Sequence, residues 1–242
     1  MEHAQHVAAI RTESDALATA ARAAGVDVPV ASCPEWKVID LLGHVGRIQH
    51  WVTRIVQTRP EPPGHNWRQD DPPEPSEAID WFADGATALA DALASVAPDE
   101  AVWTWAPDHQ ARFWARRMAH EVAVHRWDAQ TAVGAPQPID RELAVDGIQE
   151  AFDIMPARLA ANPPSGGGET IHLHCTDGEG EWLLRLTPEG VDVTREHAKG
   201  DVAARGTASD LLLLVWGRIE PDAVDVFGDA ALLARWQDLT RF

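Results

Sequence analysis

The spacing of apolar residues changes period once along the chain, and that change limits the fold more than any other feature. Up to about Ala161, apolar side chains recur at helical spacing between Pro-rich joints; beyond it, short alternating runs separated by turns read as strands. The clearest helical stretch follows Ser32-Cys33-Pro34, where Val38, Leu41, Leu42, Val45, Ile48, Val52 and Ile55 form one stripe that stops before Pro60. A helix over roughly Gln5 to Ala24 precedes it and closes near Gly25. Two more follow, over about Ser76 to Val96 and about Arg112 to Val133, the latter closed by Gly134 and Pro136. Four such helices pack most economically as an antiparallel bundle. A fifth, Arg141 to Ala161, is placed to bridge to what comes next. Arg59 to Pro75 is too rich in proline for a helix and reads as an exposed loop or lid-like connection.

Asn162 to Gly168 (NPPSGGG) suits neither helix nor packed core and reads as a linker. After it, Thr170 to Thr176, Glu181 to Thr187, Val191 to Arg195 and Val202 to Arg205 read as strands of a small antiparallel sheet, with helices over Ala208 to Arg218 and Ala230 to Leu239 covering one face. The expected organisation is α+β overall, with a helical domain over 1–161 and a small α+β domain over 169–242. A length of 242 residues accommodates two such domains.

Charge and cysteine content narrow the chemistry. A formal net charge of −18 with no Lys/Arg cluster opposes a nucleic-acid partner or an anionic membrane surface. The start, MEHAQHVAAI, has no basic segment followed by an apolar one, and no run approaches the roughly 20 apolar residues that span a bilayer. A cytoplasmic protein is expected. Cys33 and Cys175 are too few and too far apart for a disulfide framework or a cysteine-based zinc site. Any metal must be held by His and carboxylate.

The run Met118 to Asp128, MAHEVAVHRWD, has that chemistry. Glu121 and His125 stand four apart and project from the same side of a helix, on the apolar stripe of Trp114, Met118, Val122 and Ala129. His120 lies about 140° away around the helix from His125, so this is not the HExxH arrangement of zinc proteases. His44 flanks the stripe of the second helix and is the natural third donor from a facing helix. Three protein ligands with an open position is a catalytic zinc pattern. The residues alone leave a second interpretation open, with His44 a hydrogen-bonded core residue and Glu121/His125 an i,i+4 charge pair. Asp128, one turn past His125, and Asp40, one turn before His44, are candidates to fix a ligand tautomer; the alternative for either is a plain surface carboxylate, which is slightly favoured for Asp128.

Three stretches, SCPEWKVIDLLGHVGRIQHW, HEVAVHRWDAQTAVG and GTASDLLLLVWGR…VDVFGDAALLARW, resemble the maleylpyruvate isomerase family of mycothiol-dependent enzymes, within the wider DinB-like metal-binding bundle superfamily. The resemblance covers nearly the whole chain. It implies a DinB-like four-helix bundle, a zinc-type site on His44, Glu121 and His125, and a smaller C-terminal domain similar to sterol carrier (SCP2-like) proteins. It also implies mycothiol as cosubstrate, and an S-transferase or a thiol-assisted cis-trans isomerase acting on a small electrophile. A divalent metal, zinc favoured, would stabilise the attacking thiolate.

Arg218, in the WGR run, is the candidate to hold an anionic group of substrate or thiol, because guanidinium pairs bidentately with carboxylates; its plain alternative is a helix C-terminal cation. His172 and His174 form a rival metal pair on one face of a strand, but no third ligand is close in sequence. Trp36, Trp51, Trp114 and Trp127 lie beside the ligand positions, either as pocket walls or, by preference, as core filling. The rival to an enzyme is a non-catalytic small-molecule or metal-binding, regulatory protein on the same scaffold.

Overall fold

The computed structural model describes residues 1–61, 64, 73–159 and 163–240, so parts of the expected 59–75 connection and 162–168 linker lie outside the described residues. Helix α1 (His3–Ala24) ends where Gly25 takes a φ of 86°, a left-handed value that favours glycine. The second helix starts later than Pro34 suggested. Residues Cys33–Lys37 are extended as β2, which pairs antiparallel with β1 (Pro29–Val30). Helix α2 (Val38–Thr58) begins only where the Asp40 carboxylate accepts from the Lys37 backbone N–H at 2.9 Å. Helices α3 (Ala78–Ala94), α4 (Ala111–Thr131) and α5 (Arg141–Arg158) follow.

The chain divides into two compact units, Met1–Gln137 and a second from Pro138 onward. The boundary expected after Ala161 is thus displaced upstream, and α5 belongs to the second unit. Side-chain chemistry explains this. The Arg141 guanidinium donates to the carbonyls of Asp177 and Glu179, and the Trp182 indole N–H donates to Gln149 Oε1 at 3.0 Å.

The first unit is the four-helix bundle α1–α4 with the β1–β2 hairpin. Leu17, Ala21, Leu41, Leu42, Val45, Phe82, Val122 and Ala129 form its buried cluster. α2 and α3 approach closely at Gly46, where a Cβ would overlap the Trp81 ring. A buried ion pair from Arg126 Nε to Glu13 Oε2, 2.6 Å, ties α4 to α1.

In the second unit a five-stranded sheet runs in the order β5-β4-β3-β6-β7, with β3 (Thr170–Cys175), β4 (Glu181–Thr187), β5 (Gly190–Thr194), β6 (Val202–Gly206) and β7 (Asp225–Gly228). The sheet is mixed rather than antiparallel. β3 and β6 pair in parallel because the chain leaves β5 at one edge and crosses to the far side of β3 before β6 begins. The edge strand β7 was not expected; four residues are too few for an alternating pattern to show. Ile171 and Leu173 of β3, Trp182 and Leu184 opposite them, and Val202 and Ala204 of β6 are all buried on one face, against α6 (Ala208–Val215). Helix α7 (Ala230–Thr240) completes the α+β unit. No helix among the described residues is long and apolar enough to cross a membrane.

Candidate metal centre

Two elements of the bundle bring three donors to one point. Helical spacing puts Glu121 and His125 on one side of α4, and α2 presents His44 to them across the bundle. His44 Nε2 lies 3.0 Å from Glu121 Oε1, and His125 Nε2 lies 3.4 Å from the same oxygen. One donor atom from each residue falls within 4.8 Å of the others. Donors around a tetrahedral ion with bonds of ~2.0–2.2 Å stand ~3.3 Å apart, so the triad needs little movement to hold a zinc-type ion.

The surroundings favour that use. The Arg117 guanidinium takes Glu121 Oε2 at 2.9 Å, leaving Oε1 to face both imidazoles. Asp128 Oδ2 lies 2.9 Å from His125 Nδ1, which leaves the Nε2 lone pair directed at the site when Nδ1 carries the proton. Asp128 is fully buried, and Ser32, from the turn between β1 and β2, donates to its other oxygen at 2.6 Å. The surface alternative for Asp128 is thereby excluded. Asp40 instead caps α2 from an exposed position.

Electrostatics agree with the geometry. Burial pushes the Glu121 carboxyl up, but hydrogen bonding to His125 and His44, with the charges of His125 and Arg117, outweighs it and holds the group well below the ordinary carboxylate value. Burial lowers His44 more than its bond to Glu121 raises it. Burial also lowers His125, but Asp128 and Glu121 together carry it above the usual imidazole value.

The aromatic residues divide into two roles. Trp36, on β2, walls the site: its ring centroid is 4.9 Å from that of His44 and 6.0 Å from that of His125, nearly parallel to the latter. Trp51 instead packs edge-on against both Trp103 and Trp114, which stack on each other, as core filling predicts. His120 points away from the triad and packs against His6 at 5.8 Å. Arg117 was missed in the sequence, although its i,i+4 spacing to Glu121 was available as a signal. Arg218 lies in the second unit, where its Nη1 donates to the Trp216 carbonyl at 2.9 Å in the turn that closes α6.

A four-helix bundle carrying an inward His–Glu–His triad, followed by a small α+β unit, defines a class of two-domain proteins with a metal-type site in the first domain. The family model for the mycothiol maleylpyruvate isomerase N-terminal domain matches residues 7–130, and that for the C-terminal domain of the same enzymes matches 142–235. The chain therefore belongs to the mycothiol-dependent maleylpyruvate isomerase family. Among solved structures it resembles the mycothiol-dependent maleylpyruvate isomerase and a histidine-to-alanine variant of it, each with TM-score 0.69 and 13% identity over 93% of both chains. At that identity the likeness establishes the fold. No curated protein sequence matches it.

Proposed function

We propose that this chain is an enzyme that holds a divalent metal, zinc favoured, on His44, Glu121 and His125 and activates a small-molecule thiol, mycothiol, for attack on a small electrophile. The observation that carries this reading is the convergence of three donors on one partly buried point, with His125 steered from behind by Asp128. A divalent metal at that point supplies positive charge that favours thiolate over thiol. The protein does the rest. Glu121 stays ionised, Arg117 fixes its orientation, and the Trp36 ring gives the site an apolar wall.

The thiolate then forms a carbon–sulfur bond with the electrophile. In an isomerase the adduct forms on an activated double bond, rotates about the resulting single bond and expels the same thiolate. In a transferase the carbon–sulfur bond is kept: either the π bond breaks and the resulting carbanion takes a proton from solvent, or a leaving group departs with the bonding pair, and the thioether is released as product. We assign Arg218 the role of holding an anionic group of substrate or thiol, and we place the reaction in the cytoplasm, with no nucleic-acid or membrane partner.

The test supplies mycothiol with maleylpyruvate, and separately with a generic electrophile, to metal-replete and metal-stripped protein. Turnover that needs both metal and thiol and is lost in His44→Ala supports the reading; which electrophile reacts separates isomerase from transferase. Equal turnover with and without metal contradicts it. For Arg218, a raised KM in Arg218→Ala that Arg218→Lys partly restores is expected, and an unchanged KM removes the assignment.

A further inference from the structure

A second group of metal-type donors lies in the sheet of the second unit, outside the proposed reaction. His172 and His174 share the face of β3 opposite Ile171 and Leu173. Glu181 stands directly across from His174 in the β3–β4 register, and His197 comes from the connection that leaves β5 after Thr194. Glu181 is the hub. Its Oε1 is 2.7 Å from His174 Nδ1, and its Oε2 is 2.7 Å from His197 Nδ1 and 3.4 Å from His172 Nε2. The three imidazole centroids form a nearly equilateral triangle, 5.7, 6.0 and 6.1 Å on a side.

Three observations distinguish this group from chance neighbours on a strand. His172 is only 5% exposed, and its Nε2 is buried and aimed into the cluster without a hydrogen-bond partner, since the 3.4 Å approach to Glu181 is not directed as a bond. Leaving such a group unsatisfied is unfavourable, and coordination would satisfy it. One donor atom from each of the four residues lies within 4.8 Å of the others, so side-chain rotations of about an ångström close them to the ~3.3 Å spacing of a tetrahedral ion. The connection that carries His197 is also pinned over this face. Asp201 Oδ2 accepts from both the N–H and the hydroxyl of Thr170 at 2.8 Å, and the Asp201 N–H donates to Thr170 Oγ1 at 3.0 Å. Gly200 lets the backbone lie against β3; a Cβ there would stand 2.6 Å from the Val202 carbonyl oxygen and 3.0 Å from the His172 nitrogen.

We propose that His172, His174, Glu181 and His197 form a second transition-metal site, of zinc type, that fastens residues 195–201 to β3 and β4. Three imidazoles and one carboxylate suit zinc, nickel or copper and disfavour magnesium and calcium, which take oxygen donors. Four protein ligands leave no open position, so the site is structural, in contrast to the triad in the bundle. Its contribution is to stability, because an ion that binds only the folded sheet shifts the unfolding equilibrium.

The experiment titrates zinc into the metal-stripped full chain and into His44→Ala/Glu121→Ala, following stoichiometry by calorimetry and the unfolding midpoint by thermal denaturation. The double variant, which lacks the bundle donors, is expected to keep one zinc and a zinc-dependent rise in Tm. Adding His197→Ala, whose side chain is 81% exposed and whose removal leaves the packing intact, is expected to weaken that zinc on the order of 100-fold and abolish the rise. A double variant that binds no zinc, or that binds it equally well with His197→Ala and with His174→Ala, overturns the proposal. Failure of the bundle site alone reads differently: the native chain and the double variant then bind the same single zinc.

Discussion

The bundle cluster of His44, Glu121 and His125 and the sheet cluster of His172, His174, Glu181 and His197 are assembled in opposite ways. In the bundle, one helix supplies two donors four residues apart and a facing helix supplies the third. In the sheet, four donors come from two paired strands and a crossing connection. The helical cluster has a buried carboxylate behind His125 and only three donors, which on the proposed reading leaves a metal one open position for chemistry. The sheet cluster surrounds its centre with four donors, the combination that fastens a loop. On the proposed reading, local geometry divides the same residue types between reactivity and stability.

The largest expected effect separates these roles. Glu121→Ala lowers thiol-dependent turnover on the order of 1,000-fold, because the charge that stabilises the thiolate is worth several kcal/mol; steady-state kinetics read it directly. A smaller change tests whether Asp128 positions His125. Asp128→Asn weakens metal at the bundle about 10- to 100-fold in competition with a chromophoric chelator, while zinc at the sheet keeps its affinity. Equal weakening at both sites breaks the distinction.

Gly200→Ala probes the other side of the comparison. The added methyl meets the backbone of Val202 and His172, and overpacking of this kind costs about 2 kcal/mol, read from urea unfolding. Metal at the bundle is unaffected. The smallest effect concerns the entry to β3. Glu169 is held at about 2 by its own backbone N–H, by Arg235 and by the Gly167 N–H. Its folded value is depressed, so its contribution is complete above the ordinary value of 4.5 and is lost as the pH falls towards 2. The stability gap between native protein and Glu169→Gln therefore narrows over that interval in unfolding experiments run at successive pH values.

What was legible in the sequence was local. Glu121 and His125 share a face by helical arithmetic alone, and His44 follows from the stripe of α2. Asp128 was ambiguous because its burial depends on Ser32, distant in sequence and brought to it by the β1–β2 hairpin. Trp36 became a wall of the site for the same reason: its stretch is a strand rather than the start of α2. His172 and His174 have no third ligand close in sequence; Glu181 reaches them through strand register and His197 through the crossing that also makes β6 parallel to β3. No periodicity encodes that long-range pairing. The domain boundary moved because the contacts of α5, through Arg141 and Gln149, are with the sheet that follows it.

If the bundle triad holds a metal that ionises a thiol, as proposed, binding of the thiol releases a proton. Metal-loaded protein in weak buffer near pH 7 is mixed with mycothiol while the pH change is recorded. About one proton is expected for each thiol bound, and none in His125→Ala, because the bound form is thiolate. Native protein that binds the thiol without releasing a proton would contradict it.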